Sequence, residues 1–485
     1  MIAAILSGGV LLSVQPAGVP PAGRLHAGWA ARDITPDRPV ALAGQFHKRI
    51  STRVEAPLWA TALALETREG DRPLDHAVLI SCDLVGIAPE VVVRLRRRLE
   101  GKLEGLDPRR IIPNATHTHT GPVTGESWYE VTEEGVMKPE EYVEFLVGRL
   151  AEAAEEAWRG RRPAGVNWGL GYATVGFNRR MVYADGRAVM YGAVHRPDFR
   201  NVEGYEDSAV ESLFFWDEGR RLTGVAVDVP CPSQVVENAN FISSDYWHDV
   251  RIVLRERYGR DLFVLSWCSA AGDQSPHPQI RRAADERMRR LRNLTETRAI
   301  ALRIAEAVDY AYGAVREEVR TEVPFAHRVE DLILPARKIT EKEYQSAKAA
   351  RDRIAAKPRE KWGRDEYARH RWHQGVVDRY EKPEEHATFP MELHVLRLGE
   401  AAIATNPFEL FLDYGIQMKT RSPALQTLLV QLAVGRGGYL PTEKAVAGGG
   451  YSAVAESGRV GPEGGRVLVE RTLEVLEGLW GKKPR

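Results

Sequence analysis

Apolar, strand-like segments that run directly into short polar motifs are the feature that most limits the fold of this chain. Residues 76–84 are almost entirely apolar, as expected for a strand that is buried on both faces. Residues 89–106 place apolar side chains on one helical stripe with arginines opposite. The run 110–113 then leads into the polar stretch 114–122. This β-α-β order predicts an α/β fold, in which sites form outside the strand ends.

The rest of the chain predicts mixed β-sheets with flanking helices. Further strand-like segments are residues 27–36, 58–65, 166–173, 212–216, 222–229, 262–266, 392–398, 401–405 and 428–434. Helical segments are residues 140–158, a helix that Asp245 caps, and residues 281–317. Residues 338–385 are strongly charged with helical periodicity, and we expect a solvated hairpin or a lid there rather than a binding module.

The polar stretch 114–122 contains His117 and His119, which are two residues apart. In a regular strand, such side chains face opposite sides. At a bent strand end, however, the two imidazoles can converge on one ion or one substrate. The neighbouring threonine hydroxyls could fix the histidine tautomers. The bare pattern is weak, and a polar loop that holds two histidines by chance is the alternative.

Three further apolar strands also end in compact polar motifs. These motifs contain Cys231, then Asp273 with Ser275, and finally Glu409. Each has a structural alternative, because Cys231 could be a small buried hydrophobe, Ser275 could lie in a turn and Glu409 could cap a helix. Taken together, the four strand ends predict one site that is built from several strand-end loops.

Composition narrows the domain organisation and the partners. A chain of 485 residues could hold two or three domains, but it shows no internal repeat or low-complexity linker, and we expect a single domain over 25–485. Lys and Arg number 67 and Asp and Glu number 67, so no overall basic field favours nucleic acid as a partner. Three cysteines are too few, and an odd number, for a disulfide framework.

The first residues resemble a secretory signal. Residues 1–14 are apolar and precede a proline-rich spacer, although the positive segment that normally starts a signal is missing. We therefore expect a signal peptide and spacer over 1–24, and a secreted or periplasmic protein. A wrongly assigned start codon or a frayed tail is the alternative. No later run approaches the roughly 18 consecutive apolar residues of a membrane span.

Five short motifs occur in order: Asp33-Ile-Thr-Pro, His117-Thr-His119-Thr-Gly-Pro, Asn178-Arg179-Arg180, Gly272-Asp-Gln-Ser275-Pro276 and Pro407-Phe-Glu409. Their order and spacing resemble the catalytic domain of the neutral/alkaline, non-lysosomal ceramidases. The resemblance covers roughly residues 25–480, as scattered motifs only. We do not expect the C-terminal β-sandwich domain of that family in this chain.

The resemblance implies a zinc amidase that cleaves the N-acyl bond of ceramide. Its substrate would be a lipid or another small N-acyl compound, which allows peripheral contact with a membrane surface. The implied zinc ligands are His117, Glu409 and Tyr451, with Tyr439 the less favoured tyrosine. His119 and Arg179 match residues that bind near the reacting carbonyl. Ser275 matches an active-site serine, and Asp273 beside it would position substrate or water.

The chain departs from the family at one zinc ligand. Cys231 stands where the second zinc histidine is expected. A thiolate is a good zinc ligand, so Cys231 could complete the site. His248, at the start of the predicted helix, could also take that place. Loss of zinc is the third alternative, although the donors present favour retained zinc.

Three functions therefore follow from the sequence. The first is metal-assisted hydrolysis of an amide, or of an ester, with His119 and Arg179 stabilising the developing oxyanion. The second is a serine hydrolase that uses Ser275 as the nucleophile, with His119 or His277 as the base. The third is a non-catalytic binding protein on a degenerate fold. Because the charged insertion could cover the entrance, a more polar N-acyl or O-acyl substrate than ceramide stays open.

Overall fold

A computed structural model describes residues 19–125 and 129–481. The predicted signal segment 1–14 lies outside the described residues, and so does the part of the spacer up to residue 18. The first strand starts at Ala22, inside the predicted spacer. Among the described residues, no helix has the length and apolarity needed to cross a membrane.

The described residues form 21 strands and ten α-helices. The strands are β1 (Ala22–Asp33), β2 (Ala41–Leu42), β3 (Arg49–Ile50), β4 (Trp59–Glu69), β5 (Arg72–Cys82), β6 (Ile111–Ala115), β7 (Arg162–Tyr172), β8 (Phe177–Asn178), β9 (Arg180–Tyr183), β10 (Ala188–Met190), β11 (Phe199–Val202), β12 (Ala209–Asp217), β13 (Leu222–Val229), β14 (Phe263–Cys268), β15 (Gln274–Ser275), β16 (Glu322–Pro335), β17 (Thr388–Leu398), β18 (Ala401–Thr405), β19 (Phe408–Leu410), β20 (Gln426–Val430) and β21 (Gly438–Leu440). The helices are α1 (Pro89–Leu99), α2 (Pro139–Arg159), α3 (Tyr246–Tyr258), α4 (Arg282–Leu291), α5 (Glu296–Val315), α6 (Glu341–Ala355), α7 (Glu366–Glu381), α8 (Leu412–Arg421), α9 (Glu443–Gly448) and α10 (Pro462–Leu479).

Twelve strands form one mixed sheet that branches at β1. β1 pairs with β4 over most of its length, and with β7 and β16 over shorter stretches. One branch continues through β5 to β6, a second through β12 and β13 to β14, and a third through β17 and β18 to β20. The pairs β5–β6, β13–β14 and β18–β20 are parallel, and the other pairs in this sheet are antiparallel. The predicted α/β class with mixed sheets is confirmed.

The nearly continuous apolar sequences of β4 and β5 follow from burial on both faces. On one face, Ala62 and Ile80 pack with Leu146 of α2. On the other face, Leu63 and Leu79 join a cluster with side chains from β12, β14 and β17. The branches of the sheet thus share a central core, and helices cover the outside.

The carboxyl ends of the three parallel pairs meet at one edge. Their last paired residues are Cys82 with Ala115, Val229 with Cys268, and Thr405 with Val430. Backbone hydrogen bonds join the pairs just beyond these ends, because Gln431 N donates to Cys268 O at 3.1 Å and Ala115 N donates to Leu432 O at 3.2 Å. The polar motifs that follow the strands are therefore brought together.

The charged insertion folds as the predicted helical hairpin, made of α6 and α7. It is more than a solvated excursion, because one face of α7 is buried. Ala368 packs with Val85, Val123 and Tyr129. The small sheet β10–β9–β11 was not expected from the sequence.

Candidate functional site

His117 and His119 lie just beyond the end of β6, where the chain bends sharply. His117 has φ of +70°, a left-handed conformation that is uncommon for residues other than glycine. His117 N holds this bend by donating to Leu84 O at 2.9 Å. As a result the two Nε2 atoms lie 3.4 Å apart. The predicted convergence of the two imidazoles is confirmed.

A backbone carbonyl, rather than a threonine, sets the tautomer of His117. Its Nδ1 lies 2.6 Å from Val85 O, so Nδ1 carries a proton and donates it to that carbonyl. Thr118 and Thr120 both donate to Ser243 O at 2.8 Å. The predicted role of the threonines in fixing the tautomers is wrong, because their hydroxyls anchor the loop instead.

His119 sits between an amide and a carboxylate. Its Nε2 is 2.8 Å from Gln234 Nε2, and its Nδ1 is 3.5 Å from Glu237 Oε2. Burial, followed by the charges of His117, Arg49, Arg179 and Arg436, holds the pKa of His119 well below its usual range. The ring is therefore neutral at neutral pH and can accept a proton.

Glu409 also lines the cavity and contacts His117, with Oε2 3.3 Å from His117 Nε2. Burial by itself would raise the pKa of Glu409. The neighbouring His117, Tyr439 and Arg179 outweigh burial and lower the pKa overall. Glu409 is therefore a carboxylate at neutral pH.

Tyr439 lies directly beside Glu409, because β19 and β21 pair in parallel with these two residues opposite each other. Arg179 Nη2 donates to the Tyr439 hydroxyl at 3.0 Å and to Gly272 O at 2.9 Å. Tyr451 also lines the cavity, with its ring 5.5 Å from that of Tyr439. The structure thus favours Tyr439 over Tyr451 as the tyrosine nearest to Glu409, the reverse of the ranking from sequence.

Ser275 is not paired with a histidine. Its hydroxyl lies 2.9 Å from the Tyr191 hydroxyl and accepts the backbone N–H of His277 at 3.1 Å. The ring of His277 bonds to Gln234 O at 2.9 Å, and His119 Nε2 is taken up by Gln234 and His117. Neither of the bases expected for a serine nucleophile therefore contacts Ser275.

The Asp273 carboxylate forms hydrogen bonds that connect two loops, and it does not line the cavity. Its Oδ1 accepts the backbone N–H of Leu412 at 2.9 Å, and its Oδ2 accepts from Asn178 Nδ2 at 2.8 Å. The carboxylate therefore joins β8 to the start of α8. This placement corrects the expectation that Asp273 positions substrate or water.

Cys231 and His248 also require correction as candidate ligands. The thiol of Cys231 donates to Val175 O at 3.3 Å and is buried in an apolar cluster with Trp247. Burial raises the pKa of that thiol. His248 lies in the first turn of α3, half-buried. Neither residue lines the cavity that holds His117, so the structure does not bring them to the site.

His117 has few neighbouring side chains that could bind a metal ion with it. Among the described residues, no group of three or more His, Cys, Asp and Glu side chains is arranged to hold a metal ion. Zinc ligands lie about 2.0–2.2 Å from the ion, so neighbouring ligand atoms in a tetrahedral site are roughly 3.3–3.5 Å apart. His117 Nε2 and Glu409 Oε2 meet this spacing at 3.3 Å. The imidazole of His117 and the carboxylate of Glu409 are donor types that zinc accepts, and Tyr439 lies beside Glu409.

His117, His119, Glu409, Tyr439 and Tyr451 line one cavity of about 160 Å³. Other walls come from residues that the sequence does not single out, namely Phe46, Tyr129, Trp372, Arg436 and Glu456. Gln234 and Tyr191 were also missed as partners of His119 and Ser275. Gln234 could have been predicted from the sequence, because it ends the strand-end motif that contains Cys231. Trp372 lies in the charged insertion, and no motif there pointed to the site.

The fold and the cavity define a mixed α/β protein with a site at its strand ends. No family model and no curated protein matches the chain. Solved structures that share its fold include two ceramidases. One, a ceramidase complexed with C2, has a TM-score of 0.67 and 17% identity over 96% of this chain and 76% of its own. The other, neutral ceramidase from Pseudomonas aeruginosa, has a TM-score of 0.67 and 18% identity over 94% and 75%. The chain therefore has the neutral ceramidase fold.

Proposed function

We propose that this protein hydrolyses an acyl bond, an amide in the first place, in the cavity that holds His117 and Glu409. The observation that carries the proposal is the joint placement of a neutral histidine, an ionised carboxylate and an arginine-held tyrosine around one small cavity. The fold shared with ceramidases supports the same reaction class. A serine hydrolase is not supported, because neither His119 nor His277 contacts the Ser275 hydroxyl through its ring. A non-catalytic binding protein is not supported, because His119, Glu409 and Tyr439 line one cavity.

Hydrolysis requires a proton acceptor for water and donors for the developing oxyanion. His119 is the acceptor: its Nε2 would exchange the Gln234 Nε2 bond at 2.8 Å for one from water, and Glu237, 3.5 Å from Nδ1, would stabilise the imidazolium that forms. Arg179 donates to the Tyr439 hydroxyl and holds it beside Glu409, and the positive charge of Arg179 stabilises the oxyanion that develops. The proton on His119 then passes to the leaving amine.

Zinc belongs to this proposal as a bound cofactor. His117 through Nε2, Glu409 and Tyr439 would hold it. When bound, zinc polarises an acyl oxygen and makes water more acidic. His117 is suited to this role because the Val85 carbonyl fixes its ring orientation, as outer partners do for zinc histidines.

The test compares His117→Ala and Glu409→Gln with His195→Ala, an exposed histidine away from the cavity. The substrates are amides of short and long acyl groups, and free amine is measured by mass spectrometry. We expect kcat/KM to fall at least about 1,000-fold for the first two variants, since each loses a group around the reacting carbonyl. His195→Ala should match the unmodified protein.

Zinc is measured separately by elemental analysis of the purified protein. We expect about one zinc per chain in the unmodified protein and a loss of zinc in His117→Ala. Turnover in both site variants within twofold of the unmodified protein would reject the proposed site. Full turnover without zinc would reject only the cofactor. An absence of turnover on every acyl compound would favour a binding protein.

A further inference from the structure

The helical hairpin α6–α7 is docked on the rim of the cavity. Arg379 of α7 is almost fully buried and donates to Gly458 O at 3.0 Å and to Ala455 O. Val376 and Val377 pack with Ala455 in one apolar cluster. Moving the hairpin away would expose these apolar side chains and would break the hydrogen bonds of Arg379. The docked position is therefore the stable one.

Trp372 of α7 forms one wall of the cavity. Its ring centroid is 5.2 Å from that of Phe46 and 6.3 Å from that of Tyr451. The next residue, His373, places Nδ1 3.1 Å from Glu456 Oε1, a side chain that also lines the cavity. The hairpin therefore sets the size of the site as well as covering it.

The volume that remains is small. At about 160 Å³ the cavity is close to the roughly 150 Å³ of an engineered cavity that binds benzene. This volume holds a short acyl group, whereas a long acyl chain would have to extend out of the cavity. The rim is also charged, because Arg436 and Glu456 both line the cavity. Packing an alkyl chain against these groups would cost their hydration.

Building on the proposed function, we propose that the substrate is a compact acyl compound. The acyl group has about two to four carbons and sits on a polar carrier no larger than roughly one ring, as the cavity volume requires. Trp372 is the specificity-determining residue, because its indole is the wall that the hairpin contributes to the cavity. The substrate class therefore differs from a long-chain lipid.

The test uses three N-acylethanolamines that differ only in the acyl chain: acetyl, hexanoyl and hexadecanoyl. In the unmodified protein we expect kcat/KM for acetyl to exceed that for hexadecanoyl at least about 100-fold. Trp372→Ala should raise the hexanoyl-to-acetyl ratio at least about tenfold, since it removes the wall. Trp362→Ala is the matched control. Trp362 lies on the same hairpin, does not line the cavity, and donates to Lys357 O at 3.1 Å, so the ratio should stay unchanged.

Equal or faster cleavage of hexadecanoyl by the unmodified protein would overturn the inference and leave the proposed hydrolase in place. So would a chain-length ratio that Trp372→Ala leaves unchanged. If no compound is cleaved, the proposed function fails, and calorimetric binding of the same three compounds decides the inference. Tighter binding of acetyl than of hexadecanoyl supports the compact site, and the opposite order rejects it.

Discussion

Gly44 controls the position of His119 at the scale of a single residue. Its φ is +96°, and a Cβ built there would lie 2.3 Å from Cγ of the His119 ring. No side chain can therefore be accommodated unless the imidazole moves.

We expect Gly44→Ala to reduce kcat/KM about 100-fold, because a displacement of about 1 Å at a reacting group has that effect. Gly70→Ala is the control. Gly70 also has a positive φ, +60°, but nothing lies within 4 Å of its added Cβ. Thermal unfolding and steady-state kinetics of both variants separate backbone strain from ring displacement. Equal kinetics in the two variants would show that Gly44 does not position His119.

Tyr439 connects Arg179 to Glu409 through one hydroxyl group. Tyr439→Phe removes that hydroxyl and keeps the ring, so we expect kcat to fall between about tenfold and 1,000-fold while KM changes little. Tyr344→Phe, in which an exposed hydroxyl that bonds Glu381 is lost, serves as the control. A rise in KM with unchanged kcat would show that Tyr439 binds substrate without acting on the reacting group.

At the scale of elements, helix α3 is tied to the end of β5 by a buried ion pair. Arg251 donates to Asp83 through two bonds of 2.7 and 2.9 Å, and both side chains are buried. The same carboxylate accepts from Thr116 Oγ1 at 3.3 Å. Thr116 precedes His117, so this pair also supports the loop that carries the site.

Removing the arginine leaves a buried carboxylate unpaired. Arg251→Ala should therefore lower the free energy of unfolding by about 3–5 kcal/mol. Arg257→Ala, on the same helix but in a more exposed pair with Asp309, should lower it by no more than about 1 kcal/mol. Urea denaturation of both variants measures the difference. Similar losses in the two would mean that the buried pair contributes no more than a surface pair.

Elements with strong periodicity could be predicted from the sequence almost to their ends. The strands expected at 212–216 and 222–229 are seen as β12 and β13, which pair as a hairpin. Asp245 caps α3 as expected, since its carboxylate accepts Tyr246 N at 2.7 Å. β16 was not predicted, because its burial alternates irregularly along Glu322–Pro335. Its position in the sheet depends on partners that are far away in sequence, and periodicity carries no information about them.

The site could be predicted only where a side chain faces in the direction that its motif implies. His117 and Glu409 met as expected, because each lies a few residues beyond the end of a strand of the large sheet, β6 or β18. Cys231 also follows a strand end, yet its thiol turns into the apolar core. A sequence gives the position of a residue along the chain, but the direction of its side chain depends on the local turn.

For the molecule as a whole, buried histidines make stability depend on pH. His327 Nε2 lies 2.9 Å from His394 Nδ1, and His394 Nε2 lies 2.7 Å from Glu392 Oε1. Burial lowers the pKa of both histidines and, together with Arg110, lowers the pKa of His76 to about 4. The pKa of Glu392 is lowered to about 2, because bonds from His394 and Arg96 outweigh burial.

Both effects destabilise the protein in acid. Between pH 6.5 and 4, His76 binds a proton in the unfolded chain but stays neutral in the folded protein. The free energy of unfolding therefore falls as the pH falls, by up to about 3 kcal/mol from His76. Glu392 contributes stability above pH 4.5 that is lost as pH falls toward 2. Urea denaturation at several pH values measures the slope. In His76→Gln the slope of unfolding free energy against pH should correspond to about one proton fewer between pH 6.5 and 4. An unchanged slope would contradict the lowered pKa of His76.

The branching of the sheet at β1 has a consequence for synthesis on the ribosome. Ala22 of β1 pairs with Pro324 of β16, so that partner is made roughly 300 residues later. At about 5–20 residues per second, this part of β1 waits roughly 15–60 s for it. An unpaired strand edge is a template for aggregation, and distant pairing slows folding. The histidine loop is likewise made long before Glu409 and Tyr439, so the nascent chain carries one half of its site without the other.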